Sequence, residues 1–194
     1  MLRGCCDSNI SFYCSAEAEA SVTTVLKLWE NVALLPQYLD NVKQAEIVHP
    51  GECPGKVSVG LKWREERLYM GRRATMMNTI TKVDIADNKN DKGRTPTQQV
   101  SFSYNSHVLD GLDEVKHMDQ VGSLTIIPIG NEKSLIILTV NAVARGWYGC
   151  MIHSGIGRLT LRCLTKPYFQ AEVNQYAVVA EKMEKDETTN QISK

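Results

Sequence analysis

The sequence predicts an α+β domain in which a curved antiparallel sheet of about six to seven strands wraps around a long C-terminal helix, with two short helices after the first strand. Two observations lead to this prediction. Apolar residues recur at every second position through the middle of the chain, which is typical of strands with one buried face. Near the C-terminus the interval changes to three or four, and a helix of that length must bury its apolar face against the sheet.

The N-terminal part of the chain predicts one strand and two helices. Residues 9–15 alternate between an apolar and a polar face, as a strand does. Ser15 is expected to cap a helix over residues 17–32, where apolar residues recur at intervals of three and four. Residues 33–43 follow as a shorter helix or a pair of turns.

A hairpin over residues 57–84 is the longest strand pair that the sequence predicts. Its first half alternates strictly, and Gly71 can supply the positive φ angle that a hairpin turn often needs. Glu65 and Arg67 continue the register of the apolar face, which is an unusual position for charges. They indicate either the edge of the sheet, where it meets water, or the mouth or floor of a pocket.

Further strands are predicted at residues 45–49, 100–104, 114–129 and 134–145. Gly122 lies inside one of them and predicts a bulge or bend, which a strongly curved sheet requires. Residues 87–97 are polar and predict a long exposed loop. Pro167 lies between two helical runs, so the final helix is expected to kink there or to start afresh.

Composition places the chain among ordinary globular proteins. Its 194 residues fit one domain, expected at 8–187 with tails at 1–7 and 188–194. The 22 basic and 22 acidic residues balance, which excludes the basic surplus typical of nucleic-acid binding. No apolar run approaches the roughly 20 residues of a membrane helix. The N-terminus lacks the apolar region of a secretory signal, so we expect a cytoplasmic protein.

The six cysteines and four histidines show no metal-binding pattern, because no CxxC pair occurs and the histidines are scattered. Neither a metal nor another cofactor is expected. In the cytosol the thiols should be reduced. Cys5 and Cys6 could be acylated, although a disordered tail with two exposed thiols is the simpler explanation.

Catalytic and nucleotide-binding motifs are missing from the sequence. No GxSxG nucleophile turn occurs, and the glycine at Gly71 lacks the spacing of a phosphate loop. Gly155 and Gly157 form only a fragment of a dinucleotide fingerprint. A specific reaction therefore cannot be assigned from motifs.

The pattern and order of these elements resemble the START-like, helix-grip or SRPBCC superfamily, especially its polyketide cyclase/dehydrase-like branch. The segment LWENVALLPQYLDNV resembles the family's opening helices, and GKVSVGLKWREERLYMGRRATMMNTITKVD resembles its second hairpin. The segment VGSLTIIPIGNEKSLIILTVNAVA resembles its closing strands, and the likeness covers roughly residues 8–187. The chain departs from the family in the long loop at 87–97 and in a final helix disturbed by Gly155, Gly157 and Pro167.

The resemblance implies that a hydrophobic or amphipathic small molecule, such as a lipid, sterol, quinone or polyketide, binds in a cavity between the sheet and the last helix. The candidate lining residues are those on inward-looking registers: Leu61, Trp63, Glu65, Arg67, Met76, Asn78, Tyr104, Asn141, Tyr168 and Tyr176. For any one of them internal pairing is the competing explanation, for example Glu65 with Arg67 or Arg145. As a set, we expect several to line a pocket.

Two other functions stay open at this point. The protein could be a cyclase or dehydratase that uses Glu65, Arg67, Tyr104 or His117 as acid–base groups. It could instead be a partner-binding assembly factor with a filled core. Arg72 and Arg73 would suit an anionic ligand or a lipid headgroup, so a transient membrane contact stays open. A solvated turn explains the two arginines equally well. The oligomeric state is not determined by the sequence.

Overall fold

Seven antiparallel strands form one sheet that packs against three helices in the computed structural model, which describes residues 8–69, 71–88, 97–111, 118–130, 132–144 and 156–192. The elements in chain order are β1 (Ser8–Ala18), α1 (Val22–Glu30), a 3-10 turn (Val32–Leu34), α2 (Leu35–Tyr38), β2 (Val42–Pro50), β3 (Leu61–Tyr69), β4 (Arg72–Asn88), β5 (Thr97–Asp110), β6 (Met118–Pro128), β7 (Ser134–Ala144) and α3 (Ile156–Ile192). This order confirms the predicted fold class.

The sheet has the strand order β1-β7-β6-β5-β4-β3-β2, so every connection from β2 to β7 joins neighbouring antiparallel strands. The first strand, β1, returns to pair with the last, β7. Helix α3 packs across the inner face, where the Phe169 ring lies 5.4 Å from that of Phe12 on β1. The Tyr176 ring lies 4.3 Å from that of Trp29 on α1. One apolar core therefore joins the sheet, α1 and α3.

Helix α1 starts later than the sequence predicted. The chain stays extended through Ala18, because Glu17 and Ala18 pair with Leu135 and Ser134 of β7. The N-cap is Ser21, whose hydroxyl accepts a hydrogen bond from the Thr24 N–H, and not Ser15. Tertiary strand pairing thus overrode a helical periodicity that local sequence would have extended to residue 17.

The central hairpin agrees with the prediction in its register and differs at its start. Strand β3 begins at Leu61 and not at residue 57. Gly71 adopts φ +81° in the turn before β4, as expected. The alternation also holds, because Glu65 and Arg67 are buried together with the apolar residues of their face.

Strand β7 has the opposite orientation from the prediction, which placed Asn141 inward. Asn141 is exposed, whereas Val140 and Ala142 are buried. The prediction failed because β7 is apolar on both faces, so a period of two does not reveal which face is inside. Pairing with β1 and β6 on either side decides the orientation.

Gly122 does not form the bulge that the sequence predicted. The registers of β6 with β5 and with β7 run through Gly122 without a shift. Gly122 instead lies directly opposite Tyr104, and a Cβ atom at this position would overlap the tyrosine ring. The sheet's irregularities lie elsewhere, for example between Ile80 and Lys82 on β4. The glycine therefore provides room for an aromatic side chain.

Helix α3 runs through Pro167 without starting afresh. The predicted loop at 87–97 falls mostly on residues that the structure does not describe, since β4 continues to Asn88 and β5 begins at Thr97. None of the described helices combines the length and apolar character needed to cross a membrane.

Substituting Gly122→Ala should destabilise the protein by about 1–3 kcal/mol, because the new methyl group collides with the Tyr104 ring. Urea denaturation followed by circular dichroism would measure this. Gly130→Ala is the matched control, since a Cβ atom there would meet Lys133 Cβ at an ordinary 3.6 Å. Equal midpoints for the two variants would show that the Tyr104 ring does not depend on Gly122.

Candidate functional site

A buried cluster of three charges joins the sheet to the last helix. Strand β3 directs Glu65 and Arg67 inward, because alternate residues share one face, and α3 contributes Glu172. Arg67 Nε lies 2.8 Å from Glu65 Oε1, and Arg67 Nη1 donates a 3.0 Å hydrogen bond to Glu172 Oε2. The exposed fractions of the three residues are 3%, 8% and 5%. The arginine therefore sits between two carboxylates, away from water.

Neutral donors complete the coordination of both carboxylates. The Trp63 indole N–H donates to Glu65 Oε2 over 3.1 Å, and the Tyr176 hydroxyl donates to Glu172 Oε1 over 2.8 Å. The Asn41 amide donates to Glu172 Oε2 over 3.3 Å. A buried carboxylate is stable only when such donors replace water, so the cluster depends on side chains from one strand, one loop and one helix.

Tyr168 connects the same region of α3 to the end of β3 through hydrogen bonds. Its hydroxyl accepts a 2.5 Å hydrogen bond from the Asn41 amide and donates a 2.9 Å bond to the Leu68 carbonyl. Tyr168, Glu172 and Tyr176 are spaced four residues apart and therefore share one helix face. That face carries all the polar contacts described so far from α3 to the cluster.

The charge of Arg67 is held firmly by its neighbours. Burial alone would lower the pKa of the guanidinium, but Glu172 and Glu65 outweigh this effect and raise it well above its usual value. Because two carboxylates face a single guanidinium, the cluster formally has one more negative than positive charge, so it has no surplus positive charge that would attract an anion. One imperfection remains: Arg67 Nε is close to Glu65 but has no well-directed hydrogen bond.

Three tyrosines around the cluster are held in their neutral form. Burial raises the pKa of Tyr104 above its ordinary value, and the negative charge of Glu172 raises it further. The same two causes raise the pKa of Tyr176 and Tyr168. Near neutral pH these phenols therefore keep their protons, so they are hydrogen-bonding groups and not bases.

A small cavity lies beside the cluster, between the inner face of the sheet and α3. Its volume is about 30 Å³, room for about two water molecules. The lining combines polar and apolar side chains from β3 to β7 and α3: Glu65, Arg67, Met76, Asn78, Tyr104, Ser106, Gln120, Gly122, Val140 and Phe169. The cavity is thus a mixed polar pocket at the sheet–helix interface.

Besides Arg67 Nε, two uncharged lining side chains carry polar atoms without a hydrogen-bond partner. Asn78 and Ser106 are directly opposite each other on β4 and β5 and are 2% and 3% exposed. Within the described part of the chain, Asn78 Nδ2 and Ser106 Oγ form no hydrogen bond. Each such buried group costs about 1–3 kcal/mol unless a water molecule or another polar group pairs with it.

The predicted site residues separate into three groups. Glu65, Arg67, Met76, Asn78 and Tyr104 line the cavity together. Four others lie in the core or around the charge cluster without lining the cavity: Leu61, Trp63, Tyr168 and Tyr176. Asn141 lies on the opposite, exposed face. Which of them contact a ligand stays a prediction.

Internal pairing and cavity lining were competing explanations for Glu65 and Arg67, and the structure shows both. They pair with each other, and both also line the cavity. Arg145 and His117 lie outside the described residues. His107 is exposed on β5 and does not line this cavity.

The sequence interpretation missed several residues of this site. Glu172 was detectable, because it is a charge on the helix face shared by Tyr168 and Tyr176. Ser106 was also detectable, since it continues the period-two register of Phe102 and Tyr104. The remaining missed residues contribute through packing or through a loop and show no such signal: Asn41, Gln120, Gly122, Val140 and Phe169.

Replacing Arg67 by Met should destabilise the protein by about 3–5 kcal/mol, because two buried carboxylates lose their shared cation. Guanidinium denaturation would measure the loss. Arg64→Met is the matched control on the same strand: its side chain is 54% exposed and pairs loosely with Glu46, so we expect about 0.5 kcal/mol or less. Similar losses for the two variants would contradict a structural role for the cluster.

Comparison with known proteins supports the fold. No protein-family model and no curated protein sequence matches the chain. The Zhui aromatase/cyclase from Streptomyces sp. R1128 is similar in structure, with a TM-score of 0.64 and 14% identity over 90% of this chain and 95% of that one. Norcoclaurine synthase from Thalictrum flavum has a TM-score of 0.58 and 14% identity, over 91% and 96%.

A START superfamily protein from Mycobacterium smegmatis is also similar, with a TM-score of 0.50 and 17% identity over 85% of this chain and 97% of that one. Identities this low establish shared architecture and not shared chemistry. The likeness extends over 85–91% of this chain and nearly the whole of each similar structure. The chain therefore has the START-like, helix-grip fold that its sequence resembles.

Proposed function

We propose that this protein binds a hydrophobic or amphipathic small molecule, such as a lipid, sterol, quinone or polyketide-like compound, between the sheet and α3. The observation that carries the proposal is a cavity at this interface into which two buried, unpaired polar side chains face. The names of the similar structures add weight, because they include an aromatase/cyclase and a norcoclaurine synthase solved with dopamine and hydroxybenzaldehyde.

The cavity volume decides how such a ligand would enter. A space of about 30 Å³ accepts one polar group and not a whole lipid or polyketide. The ligand's apolar body would therefore displace neighbouring side chains. Met76 and Phe169 both line the cavity, and the flexible thioether chain of Met76 is suited to repacking. In this proposal the polar end of the binding site already exists, and the apolar part of the site opens when the ligand binds.

An acid–base enzyme of the cyclase or dehydratase type is the second candidate. Glu65, Arg67 and Tyr104 do converge on one cavity, as that function requires. However, Arg67 and Tyr104 have raised pKa values, so both keep their protons near neutral pH. Neither residue is therefore available as the base that such a reaction needs. Formation of a cyclised product from a linear poly-β-ketone, lost in Tyr104→Phe, would favour the enzyme over the binding protein.

A partner-binding assembly factor with a filled core is less well supported. That function requires a filled core, whereas the structure has a cavity with unpaired polar atoms. The exposed apolar side chains that it also requires are present on α3, at Ile156, Leu159 and Leu164. A cytoplasmic location also remains part of the proposal. It is supported by three free thiols in the described residues, at Cys14, Cys53 and Cys163.

A transient membrane contact has a specific feature in its favour. The first turns of α3 expose Ile156, Leu159 and Leu164. Arg162 and Lys166 are exposed on the same turns. Apolar side chains beside cations suit an anionic bilayer surface, because the apolar groups insert among the acyl chains and the cations are attracted to the headgroups. We therefore propose that this end of α3 is the contact.

Binding should be blocked by Val140→Phe, which fills the cavity from β7. Lipids that co-purify with the natural protein would be extracted and identified by mass spectrometry, and their affinity should fall at least tenfold in the variant. Val143→Phe is the matched control, because residue 143 belongs to the opposite face of the same strand. Val140→Leu replaces Val140→Phe if the larger ring prevents folding. Undiminished binding by a folded Val140 variant would refute the proposed location.

Vesicle binding should depend on the first turns of α3. Leu159→Ser should weaken co-sedimentation with vesicles of phosphatidylserine and phosphatidylcholine several-fold, because an inserted apolar side chain is lost. Val178→Ser is the control on the same helix, as both side chains are 65% exposed. Equal binding of the two variants, or no binding by the natural protein, would exclude this contact.

A further inference from the structure

The unpaired atoms of the cavity define the chemistry of the group that it accepts. Asn78 Nδ2 is a hydrogen-bond donor, and Ser106 Oγ can donate or accept. The two residues are direct partners across β4 and β5, so their side chains lie side by side on the inner face. A single oxygen atom placed between them could accept a hydrogen bond from each.

The neighbouring charges argue against an ionised guest. Arg67 reaches the cavity wall, but its charge is already shared between Glu65 and Glu172. A carboxylate or phosphate would therefore lose its hydration without meeting an uncompensated cation. The cluster has one more negative than positive charge, but an ammonium group would not reach a free carboxylate oxygen of Glu65, because Arg67 and Trp63 already engage both of them. It would also face a second donor at Asn78 Nδ2.

We propose that this cavity selects a neutral carbonyl or hydroxyl oxygen on an otherwise apolar molecule, held by Asn78 and Ser106, and discriminates against carboxylates, phosphates and amines. This inference rests on the proposed binding function and adds the chemical class of the ligand's polar group. The selectivity comes from the neutralised arginine, since a free arginine in the same place would favour anions.

The size of the cavity agrees with this assignment. About 30 Å³ accommodates one oxygen-bearing group together with a bridging water. Gln120 also lines the cavity, and the apolar sides of the space come from Met76, Val140 and Phe169. A ketone or phenol can therefore place its oxygen at the polar pair while its carbon skeleton stays among apolar groups.

The test uses four small aromatic probes of similar size, namely acetophenone with a carbonyl group, ethylbenzene with no polar group, benzoate with a carboxylate and 1-phenylethylamine with an ammonium group. Each is titrated into isotope-labelled natural protein, and the side-chain amide signal of Asn78 is followed by nuclear magnetic resonance. Acetophenone should bind at least tenfold more tightly than each of the other three and should shift the Asn78 signal.

A double variant and a control variant separate ligand recognition by Asn78 and Ser106 from their structural roles. Asn78→Leu with Ser106→Ala should melt at or above the temperature of the natural protein, because unpaired buried polar atoms are removed. It should also bind acetophenone and ethylbenzene equally well. Ser103→Ala is the control, since Ser103 lies on the opposite face of β5 and should leave the preference unchanged.

The outcomes distinguish this inference from the function on which it rests. If benzoate or the amine binds most tightly, or if ethylbenzene equals acetophenone in the natural protein, the inference is wrong while small-molecule binding stands. If none of the probes binds and no molecule co-purifies with the protein, both are wrong. A double variant that retains the ketone preference would also overturn the assignment to Asn78 and Ser106.

Discussion

The compensation of one buried arginine by two carboxylates is the constraint on which the arrangement of sheet and helix depends. Arg67 and Glu65 come from one strand, but Glu172 comes from α3, more than a hundred residues away in sequence. Removing a charge from water is expensive, and only the assembled cluster offsets that cost. Helix α3 must therefore be docked with Glu172 against β3 before this face of the sheet is stable.

The same cluster determines what can occupy the space beside it. Because Tyr176, Trp63 and Asn41 saturate the carboxylates, the charged groups are fixed in place and have little capacity left for a guest. Among the uncharged side chains that line the cavity, free hydrogen-bonding capacity lies instead at Asn78 and Ser106. A pocket is left open because Gly122 lets the Tyr104 ring lie across β6, where a larger residue would push it away. The cavity is thus a product of the packing around the cluster.

Sequence periodicity predicted much of this region because strands with one buried face have a strict period of two. Glu65, Arg67, Met76, Asn78 and Tyr104 were placed on the inner face correctly for that reason. The same argument failed at Asn141, since β7 is apolar on both faces and its alternation does not show which face is buried. The helical interval of three and four misled the prediction at Ser15, because pairing with β7 keeps β1 extended to Ala18. Asn41 and Phe169 could not be found by any local rule, because their roles arise from elements distant in the chain.

By itself, the sequence determined the fold class, the strand order along the chain, the central hairpin and the presence of two charges on its apolar face. These features follow from local patterns, since hydrophobic periods and turn residues act over a few positions. Only the tertiary structure decided that Glu65 and Arg67 pair with each other and with Glu172 while also lining a cavity. It also showed that the unpaired groups facing that cavity are Asn78 and Ser106. Pairing, orientation and empty space depend on which distant elements meet, and no local pattern encodes that.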